Sequence, residues 1–545
     1  MSFPDFEPST PVFIRTLEER YANRELIVYE GQRLSYGDAA SRSARLARGM
    51  LAAGISKGSR VGILMPNSPD FIVAWLAAAR IGALIIPINT FYKPKELAFV
   101  LRHADVQVLL MVNRLLNNDY LDRLESCIPQ LVDPAQQDLA SESLFLAEFP
   151  FLRQIYVWGE SDRPWSRSPD ALLAPTTAID DNYLRSVENC VCPADPLTII
   201  YSSGSTSDPK GAIHTHGSVI RHSHNLNAWR DLLTEDRIFS PMPFFWVGGL
   251  VFTLHCALHK GACLICEEVF EPEQTMKLLE SERATLVTGW PHYGSAMVDH
   301  PSFAKRDLSS IRAGNIYPLL PKSAQPSDPE LRSNALGMTE TCGPHSIDHM
   351  DVDLAEEMRG SYGRALEGVE HKVVDPDSGK TLPSGTEGEL CIRGYNVMQG
   401  LYKIEREDCF DADGFYHSGD GGYLNEDGFL FFKARLGDMI KTAGANVTPR
   451  EVEIAIDEQP EVQISYVVGL PHPDRGQDVT GAVILNTGET LAADELKQRL
   501  KRELSAYKVP RHLFFCPKDD IPFTDSGKVD KRQLIKYLSG LQGDD

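Results

Sequence analysis

Several segments of the chain carry hydroxyl, amine and carboxylate side chains in arrangements that suit phosphate chemistry. The strongest is a loop rich in Ser, Gly and Thr at residues 201–211, which contains Lys210. The loop follows an apolar strand-like run and leads into a helix-like segment at 218–229, and backbone amides at such a junction favour anions. It is not a Walker loop, because Lys210 is followed by Gly211 and the first glycine stands at the wrong distance. An ordinary Ser/Gly surface loop is the alternative interpretation.

Further segments place single charged or hydroxyl residues in short turns. The pair Thr339-Glu340 offers a carboxylate oxygen, which a hard cation such as Mg²⁺ prefers as a ligand. Asp420 ends the run Tyr-His-Ser-Gly-Asp, Arg435 lies in Lys-Ala-Arg-Leu-Gly-Asp, and Lys528 stands in a Gly-containing turn near the C-terminus. Taken singly, these residues are more typical of a helix cap, a turn, a surface ion pair and a solvated lysine.

The elements that must position these residues change character along the chain. The first four-fifths alternates helix-like and strand-like patterns, which implies parallel sheets with helices on both faces. Helices are expected at 41–51 and 70–79, and strands at 60–65, 83–88, 106–112, 197–201 and 262–266. From residue 368, short strands and Gly- and Asp-rich turns, including a hairpin at 425–428, predict a small β subdomain.

A third pattern begins after residue 435 and predicts a small α+β domain. Helices are expected at 449–458 and 492–504, and strands at 465–469 and 481–485. The main boundary is predicted at Leu436-Gly437, because a glycine can absorb a large backbone change. The predicted domains are therefore 1–436 and 437–545.

Composition excludes several classes of protein. The 545 residues carry a net charge of -22, with 42% hydrophobic and 24% charged residues, which is typical of a globular protein and excludes disordered and collagen-like chains. The acidic balance argues against nucleic acid as a partner, because such binding needs clustered positive charge. Ten cysteines are too few for a disulfide framework, the N-terminus has no secretory pattern, and the most apolar stretch is interrupted by Arg80. We therefore expect no integral membrane segment and a cytoplasmic location.

Taken together, the polar segments resemble the adenylate-forming superfamily, which includes acyl-CoA synthetases, luciferases and peptide-synthetase adenylation domains. Five motifs occur in the family's order, from the loop at 201–211 to the Pro-x-Thr-x-Ser-Gly-Lys run at 522–528. The resemblance covers nearly the whole chain. It implies a large N-terminal domain joined by a hinge to a small mobile C-terminal domain.

The resemblance also implies a role for each matching residue. Thr339 would contact the α-phosphate of ATP, Glu340 would hold Mg²⁺, and Lys528 would be the catalytic lysine of adenylation. Asp420 and Arg435 would contact the ribose. The residues implied in ATP binding as a whole are Ser202, Ser203, Gly204, Ser205, Thr206, Lys210, Gly337, Asp420 and Arg435. Lys441 and Gly444 fall in the stretch that serves the second half-reaction with coenzyme A, and Gly437 occupies the hinge position.

The chain departs from the family pattern at four places. Ser207 stands where many relatives have glycine, although its backbone amide remains for phosphate contact. Leu336 replaces the aromatic residue that usually stacks near adenine. The segment 312–333 is short, and it shows no clear counterpart of the Gly-rich adenine-binding loop. Gly437 replaces the usual Asp or Lys of the hinge.

An acyl pocket is suggested by residues 243–250, Pro-Phe-Phe-Trp-Val-Gly-Gly-Leu. The run resembles the family's Pro-x-Phe-His-x-x-Gly segment, so Trp246 would be an aromatic gate and Gly248 would lie beside it. Core aromatics at a helix start are the alternative interpretation. No Asp stands here to bind an amino group, which favours an apolar carboxylic acid, with a fatty acid first and an aryl or alicyclic acid next.

Two other patterns are not interpreted as metal sites. His214, His216, His222 and His224 alternate through a loop and a helix, a spacing that does not converge on one ion. The pair Cys263 and Cys266 lies in an apolar run at an odd offset, which places the thiols on opposite faces of a strand and favours core packing.

The reaction implied is an ATP-dependent acyl-CoA synthesis in two halves. A carboxylate attacks the α-phosphorus of MgATP to give acyl-adenylate and pyrophosphate, and the thiol of coenzyme A then attacks the acyl carbonyl. One alternative is a ligase that loads a carrier-protein thiol. A nucleotide-binding relative that has lost catalysis is the non-enzyme alternative.

Overall fold

Two units make up the chain in the computed structural model, which describes residues 3–133, 143–174, 178–202, 209–289, 291–332, 334–442, 445–472, 476–504, 508–524 and 528–543. Unit 1 comprises Met1–His371 and Ile392–Tyr416, and unit 2 comprises Lys372–Cys391 and His417–Asp545. The domain boundary predicted at residues 436 and 437 lies inside unit 2 and stays a prediction.

The helices of the described residues begin at polar caps and prolines. Ser35 and Ser68 each accept a hydrogen bond from a backbone N–H of the first turn, and a proline opens the helix that follows Ser68. The α-helices are α1 (Thr10–Tyr21), α2 (Tyr36–Ala52), α3 (Pro69–Arg80), α4 (Pro94–His103), α5 (Tyr120–Cys127), α6 (Asp170–Leu173), α7 (Asp181–Glu188), α8 (His216–Leu226), α9 (Cys256–Lys260), α10 (Pro272–Ser281), α11 (Pro291–Val298), α12 (Pro449–Asp457), α13 (Ala493–Leu500) and α14 (Lys531–Gly543). None of these helices is both long and apolar enough to cross a bilayer.

The strands of the described residues are short, and most are buried. They are β1 (Glu25–Tyr29), β2 (Gln32–Ser35), β3 (Arg60–Leu64), β4 (Leu84–Pro87), β5 (Val108–Val112), β6 (Arg114–Leu115), β7 (Asn118–Asp119), β8 (Gln154–Trp158), β9 (Pro196–Ser202), β10 (Lys210–Thr215), β11 (Arg237–Phe239), β12 (Cys263–Cys266), β13 (Leu286–Val287), β14 (Ala313–Gly314), β15 (Leu336–Met338), β16 (Gly343–Ile347), β17 (Arg364–Ala365), β18 (Val369–Val374), β19 (Gly388–Gly394), β20 (Tyr416–Leu424), β21 (Leu430–Arg435), β22 (Ile440–Thr442), β23 (Ala445–Val447), β24 (Val462–His472), β25 (Gly476–Leu485) and β26 (His512–Phe515).

Unit 1 contains the two large sheets that the sequence predicts. Sheet A has the order β14-β13-β11-β12-β1-β2, and sheet B has the order β10-β9-β4-β3-β5-β8. In each sheet one edge strand, β2 or β10, is antiparallel, and the pairs between the other strands are parallel. Parallel strands covered on both faces read as continuous apolar runs, and β3, β4 and β5 are buried along almost their whole lengths.

The helix predicted at 218–229 is confirmed, as α8 and a following 3-10 turn at Asn227–Trp229, but it does not follow the 201–211 loop directly. Instead, β10 runs back along β9, with Lys210 opposite Ser202, and α8 begins only at His216. The hydroxyl of Thr215 accepts the backbone N–H of Ser218, which fixes the helix start there. The described ends of the loop, Ser202 and Lys210, therefore lie opposite each other on antiparallel strands, and α8 begins six residues after Lys210.

Three smaller sheets complete the described strands apart from the β6-β7 pair. Sheet C, with the order β15-β16-β17, belongs to unit 1 and is antiparallel. Sheet D has the order β18-β19-β20-β21, most of its residues belong to unit 2, and the hairpin predicted at 425–428 joins its antiparallel pair β20 and β21. Sheet E, of unit 2, has the order β23-β22-β25-β24, with β26 parallel to β25. Together with α12, α13 and α14, sheet E confirms the predicted α+β character of the C-terminal part.

Candidate functional site

Sheet C presents the Thr-Glu pair in a single turn of 3-10 helix. The strand β15 runs into this turn at Thr339–Thr341, and the chain leaves it through Cys342 in the left-handed conformation, with φ of 59°. The hydroxyl of Thr341 is fully buried, donates to the carbonyl of Gly343 at 2.7 Å and lies 3.2 Å from the N–H of Met338. The turn is therefore closed by its own side chain, and Thr339 and Glu340 remain half-buried.

Packing requires glycine at position 337, one of the residues predicted for ATP binding. A Cβ added at Gly337 would lie 2.5 Å from backbone atoms of Gly343 and Pro344 on the paired strand. Real Cβ atoms do not approach backbone so closely, so any larger residue would separate β15 from β16. The glycine thus sets the position of the turn that follows it.

Three donors hold the carbonyl groups of this turn. His214 Nε2 lies 2.7 Å from the Thr339 oxygen, Met398 N–H donates to the Glu340 oxygen at 2.8 Å, and Asn396 Nδ2 donates to the Thr341 oxygen at 2.9 Å. Burial lowers the pKa of His214 to about 4, so the imidazole is neutral at physiological pH and carries its proton on Nε2. None of these three contacts was predicted from the sequence, in which His214 stands only as one of four histidines without a metal site. Nothing in the local sequence of the three residues indicates a partner so distant along the chain.

Lys210 and Glu340 both lie near Cys409 in unit 1, because both charges act on the thiol of that residue. Burial raises the pKa of the Cys409 thiol, the charge of Lys210 lowers it, and the charge of Glu340 raises it. Within the described part of the chain, no Lys or Arg forms an ion pair with the Glu340 carboxylate. A half-buried carboxylate that pairs with no cation among the described residues, near a lysine, fits a Mg²⁺ ion that arrives with a polyphosphate.

The phosphate-loop residues themselves are mostly outside the described residues. Ser202 ends β9 and Lys210 opens β10, so the structure gives the two ends of the loop. Ser203, Gly204, Ser205 and Thr206 lie between them and are not described.

Asp420 and Arg435 are cross-strand partners in sheet D. They stand opposite each other on β20 and β21, with Arg435 Nε 2.6 Å from Asp420 Oδ1. Arg435 Nη1 also donates to the carbonyl of Ser418 at 3.1 Å, and the Ser418 hydroxyl accepts the N–H of Asp420 at 3.0 Å. The carboxylate, 2% exposed, is therefore held by its neighbours, and the pair predicted for the ribose is brought together.

A further residue, Glu389, supports the same part of β20 and was missed from the sequence. Its Oε1 accepts the N–H of Gly419 at 3.0 Å, and its Oε2 lies 2.8 Å from His417 Nδ1. Gly419 has φ of 69°, a conformation that favours glycine. The carboxylate thus holds two positions of the motif, 417 and 419, and only the proximity of β19 and β20 reveals this role.

Lys528 stands at the end of a closed turn in unit 2. Thr524 N–H donates to the Lys528 carbonyl at 2.6 Å, and Lys528 N–H donates to the Thr524 hydroxyl at 3.2 Å. The side chain of Lys528 is exposed. The backbone at both ends of the turn is thus fixed, whereas residues 525–527 lie outside the described residues.

The residues predicted for the hinge and the second half-reaction are only partly described. Gly437 lies in a 3-10 turn at Leu436–Asp438, and a Cβ added there would meet nothing within 4 Å. Packing therefore does not require glycine at this position. Lys441 lies on β22 without a described side chain, and Gly444 falls outside the described residues.

Trp246 belongs to an aromatic cluster next to a π-helix. Its ring centroid lies 5.2 Å from that of Phe245 and 6.2 Å from that of Phe91, and Phe91 is 41% exposed. The π-helix Gly248–His255 begins two residues later, and such helices are frequent at functional sites. Phe245 belongs to the core, whereas Trp246 is half-buried, so the segment combines core packing with a partly open aromatic surface.

Two adjacent glycines of this segment have different packing. A Cβ added at Gly249 would lie 2.0 Å from the carbonyl oxygen of Pro243, so glycine is required there. A Cβ added at Gly248 would meet only the Met242 sulfur, at 3.2 Å, which is the end of an adaptable side chain. Position 248 therefore has room for a larger residue.

A small recess lies at the carboxyl ends of β13 and β14, where parallel sheets commonly bind ligands. Its lining includes Thr288, Asn315 and Tyr317. Gly314, with φ of 134°, passes so close to Val287 that a Cβ would lie 1.8 Å from its carbonyl oxygen. The segment 312–333 thus contributes to a recess, although it lacks the family's usual Gly-rich pattern.

The four histidines of the 214–224 segment have separate surroundings. His214 contacts the carbonyl of Thr339, and His216 Nδ1 lies 2.7 Å from the Thr10 hydroxyl. His222 Nδ1 lies 3.5 Å from the Tyr395 hydroxyl, and the ring centroid of His224 lies 5.4 Å from that of His259. Cys263 and Cys266 are both buried on β12, at 5% and 3% exposure, which confirms that they pack in the core.

Comparison with known proteins identifies the family. The family model described as AMP-binding enzyme matches residues 14–402, and that of the AMP-binding enzyme C-terminal domain matches residues 451–528. The protein YngI of Bacillus subtilis is 30% identical over 529 residues, which cover 95% of this chain and 94% of YngI. The mitochondrial medium-chain acyl-CoA ligase ACSF2 of Mus musculus is 29% identical over 552 residues, which cover 95% of this chain and 86% of ACSF2.

Solved structures agree with this family. The crystal structure of ATP-bound MatB from Rhodopseudomonas palustris superimposes with a TM-score of 0.75 at 25% identity, covering 97% of this chain and 98% of MatB. Its α/β architecture matches the predicted fold class of parallel sheets flanked by helices with a small C-terminal domain. Since the first family model spans well over half of the residues, the chain belongs to the AMP-binding enzyme family and is an acid–thiol ligase of the adenylate-forming superfamily.

Proposed function

We propose that this ligase is an ATP-dependent acyl-CoA synthetase that activates an apolar carboxylic acid, a fatty acid first, and transfers it to coenzyme A. The observation that carries the proposal is the turn at Thr339–Thr341, whose three carbonyls are held while the Glu340 carboxylate pairs with no cation of the described residues. A fixed backbone with an uncompensated carboxylate suits a reaction that depends on positioning and charge neutralisation.

In the first half-reaction each group has one task. Thr339 and Lys210 bind phosphate oxygens of ATP together with the loop Ser202–Thr206, while Asp420 and Arg435 bind the ribose. Glu340 would hold Mg²⁺, which neutralises charge on the polyphosphate when it is bound. Lys528 supplies a positive charge where the acid attacks the α-phosphorus.

In the second half-reaction the proposal assigns the remaining residues. Lys441 and Gly444 serve the attack of coenzyme A, and Gly437 is the hinge between domains 1–436 and 437–545. The absence of a packing requirement for glycine at 437 supports a conformational role for this residue. We place the enzyme in the cytoplasm, and cell fractionation tests that placement, because the relative ACSF2 is mitochondrial.

The acyl group is proposed to lie beside Trp246 and Gly248. The support is the aromatic surface formed with Phe91 and Phe245 and the position of Gly248, where an added Cβ would meet only the adaptable side chain of Met242. The names of the relatives include a medium-chain acyl-CoA ligase, which agrees with an apolar acid.

The proposed function is tested by pyrophosphate release from the purified chain with MgATP across a panel of carboxylic acids, each with and without coenzyme A. We expect release that requires an apolar acid and increases with coenzyme A. Release that ignores coenzyme A would instead indicate a carrier-protein thiol as acceptor. Nucleotide binding without release on any acid would contradict an active synthetase and indicate a binding relative.

A graded change at Gly248 tests the acyl pocket. Gly248→Ala and Gly248→Val should fold, and they should reduce kcat/KM for the longest accepted acid more than for the shortest. Each methylene displaced from an apolar site costs about 0.8 kcal/mol, or about fourfold. The ratio of the two kcat/KM values for long and short acids is the measurement, so each variant is its own control. Equal loss for both acids would remove Gly248 from the pocket.

A further inference from the structure

Three side chains with metal-binding atoms meet on sheet D, beside the part of β20 that carries Asp420. Glu389 and Cys391 lie two residues apart on β19 and therefore point to the same face of the strand, and His417 lies on the neighbouring strand β20. One donor atom from each residue lies within 4.8 Å of the other two. Among the described residues no other trio of His, Cys, Asp and Glu is grouped in this way.

The distances agree with tetrahedral coordination. Cys391 Sγ lies 3.6 Å from His417 Nδ1. Zinc–sulfur and zinc–nitrogen bonds of about 2.3 and 2.0 Å at a tetrahedral angle place the two donors about 3.5 Å apart. His417 Nδ1 and Glu389 Oε2 lie 2.8 Å apart, as in a hydrogen bond, and the corresponding tetrahedral edge is about 3.4 Å. The carboxylate would therefore have to withdraw by a few tenths of an ångström.

The same geometry excludes a catalytic triad. In a triad the imidazole uses one nitrogen for the nucleophile and the other for the carboxylate. Here both the thiol and the carboxylate meet the same atom, Nδ1 of His417. One nitrogen cannot relay a proton between them, whereas a cation at the centre of the three donors contacts all three.

We propose that Glu389, Cys391 and His417 form a binding site for a thiophilic divalent cation such as Zn²⁺. A thiolate, an imidazole and one carboxylate are the donor set that favours Zn²⁺ or Co²⁺ over Mg²⁺, so the Mg²⁺ of the reaction does not compete for the site. Access runs from the side of His417, which is 37% exposed, and Glu389, which is 14% exposed, because Cys391 is buried. Binding releases the Cys391 thiol proton to solvent, and the imidazole of His417 binds through Nδ1 as its neutral tautomer, with its proton on Nε2.

A bound metal ion should change how Glu389 holds the neighbouring backbone of β20. The carboxylate that must withdraw is the one whose Oε1 holds the Gly419 N–H. Its displacement loosens the backbone of β20 at Gly419, directly before Asp420, so bound Zn²⁺ should raise the KM for ATP at least threefold with little change in kcat. This second step rests on the proposed function, whereas the metal site itself does not.

The test is a Co²⁺ titration of the full-length reduced protein, followed by displacement with Zn²⁺. We expect one Co²⁺ bound with a thiolate-to-cobalt absorption band. Cys391→Ser should abolish the band, and His417→Ala and Glu389→Gln should each weaken Co²⁺ binding tenfold or more. The exposed cysteines provide the matched control, because Cys190→Ser/Cys192→Ser should leave the band unchanged.

The outcomes separate the two steps. A band that survives Cys391→Ser, or one that disappears in the double control variant, overturns the site. Thermal unfolding of each variant without metal checks folding. If Cys391→Ser does not fold, Glu389→Gln decides, because its amide oxygen can still accept the Gly419 N–H; unchanged Co²⁺ affinity in that variant overturns the site. If cobalt binds without a change in the KM for ATP, the metal site is retained and only its effect on the backbone at Gly419 is rejected.

Discussion

Lys528→Ala should lose at least about a hundredfold in the rate of acyl-adenylate formation, while thiol transfer from preformed acyl-adenylate stays within about threefold of the wild type. The reason lies in where charge develops. The attack on the α-phosphorus brings a carboxylate against a polyanion, and an ammonium group at that point stabilises the transition state. The second half-reaction starts after pyrophosphate has left and does not need this charge.

The structure makes Lys528→Ala a clean change. The reciprocal hydrogen bonds between Thr524 and Lys528 use only backbone atoms of Lys528, so an alanine keeps them. The exposed Lys536 on α14 is the matched control, and Lys536→Ala should leave both half-reactions unchanged. Separate assays, pyrophosphate release and transfer from synthetic acyl-adenylate, give the two rates. Equal loss in both assays would reject the assigned role.

The second large effect is acid unfolding of unit 1. His214, His216, His222 and His255 are each 0% exposed. Burial lowers the pKa of the first two to about 4 and of the last two to about 3. In the unfolded chain each takes up a proton near pH 6.5, whereas the folded unit excludes it.

The sign and size of the effect follow from this difference. The contribution of these histidines to the free energy of unfolding is fully present above pH 6.5. It falls as the pH decreases toward 4, because the unfolded state binds more protons than the folded state. Each histidine contributes about 1.4 kcal/mol per pH unit in this range, and the four together about 5 kcal/mol per pH unit. Domain stabilities are about 5–15 kcal/mol, so unit 1 should unfold before the pH reaches about 4.5.

Tryptophan fluorescence measures the unfolding of unit 1 without a signal from unit 2, because all six tryptophans belong to unit 1. Urea midpoints between pH 6.5 and 5 should fall steeply with decreasing pH. His255→Gln removes one of these histidines and should reduce the slope of the unfolding free energy by about 1.4 kcal/mol per pH unit. The variant should fold, because the amide oxygen can accept the hydrogen bond that Trp75 Nε1–H donates to His255, 3.2 Å long. His349→Gln, at an exposed position, is the control. A midpoint independent of pH would contradict the buried neutral histidines.

The sequence predicts strands and helices well where neighbouring residues alone determine them. The strands predicted at 60–65, 83–88 and 197–201 match β3, β4 and β9 within two residues, because buried parallel strands leave continuous apolar runs. The predicted helix at 41–51 begins five residues earlier, at Tyr36, because Ser35 caps it. Ser35 followed by Asp38 is a capping pattern that marks this earlier start in the sequence.

Features that depend on distant pairing could not be predicted. β10 takes its strand form from β9, across the 203–208 loop, and nothing in residues 210–215 alone distinguishes it from a helix start. His214 meets Thr339 and Glu389 meets Gly419 only because sheets bring them together. The motifs identified the residues that resemble a family, but not the residues that hold them in place.

The position of β1 in sheet A determines the order in which the chain can fold during synthesis. Ile27 pairs with Leu264, so β1 lies beside a strand that the ribosome makes roughly tens of seconds later. Sheet B needs nothing beyond Thr215 and can close earlier. Until Cys266 emerges, the nascent chain carries β1, an apolar strand, with one edge unpaired, and a chaperone that binds extended apolar segments should bind the nascent chain during this interval.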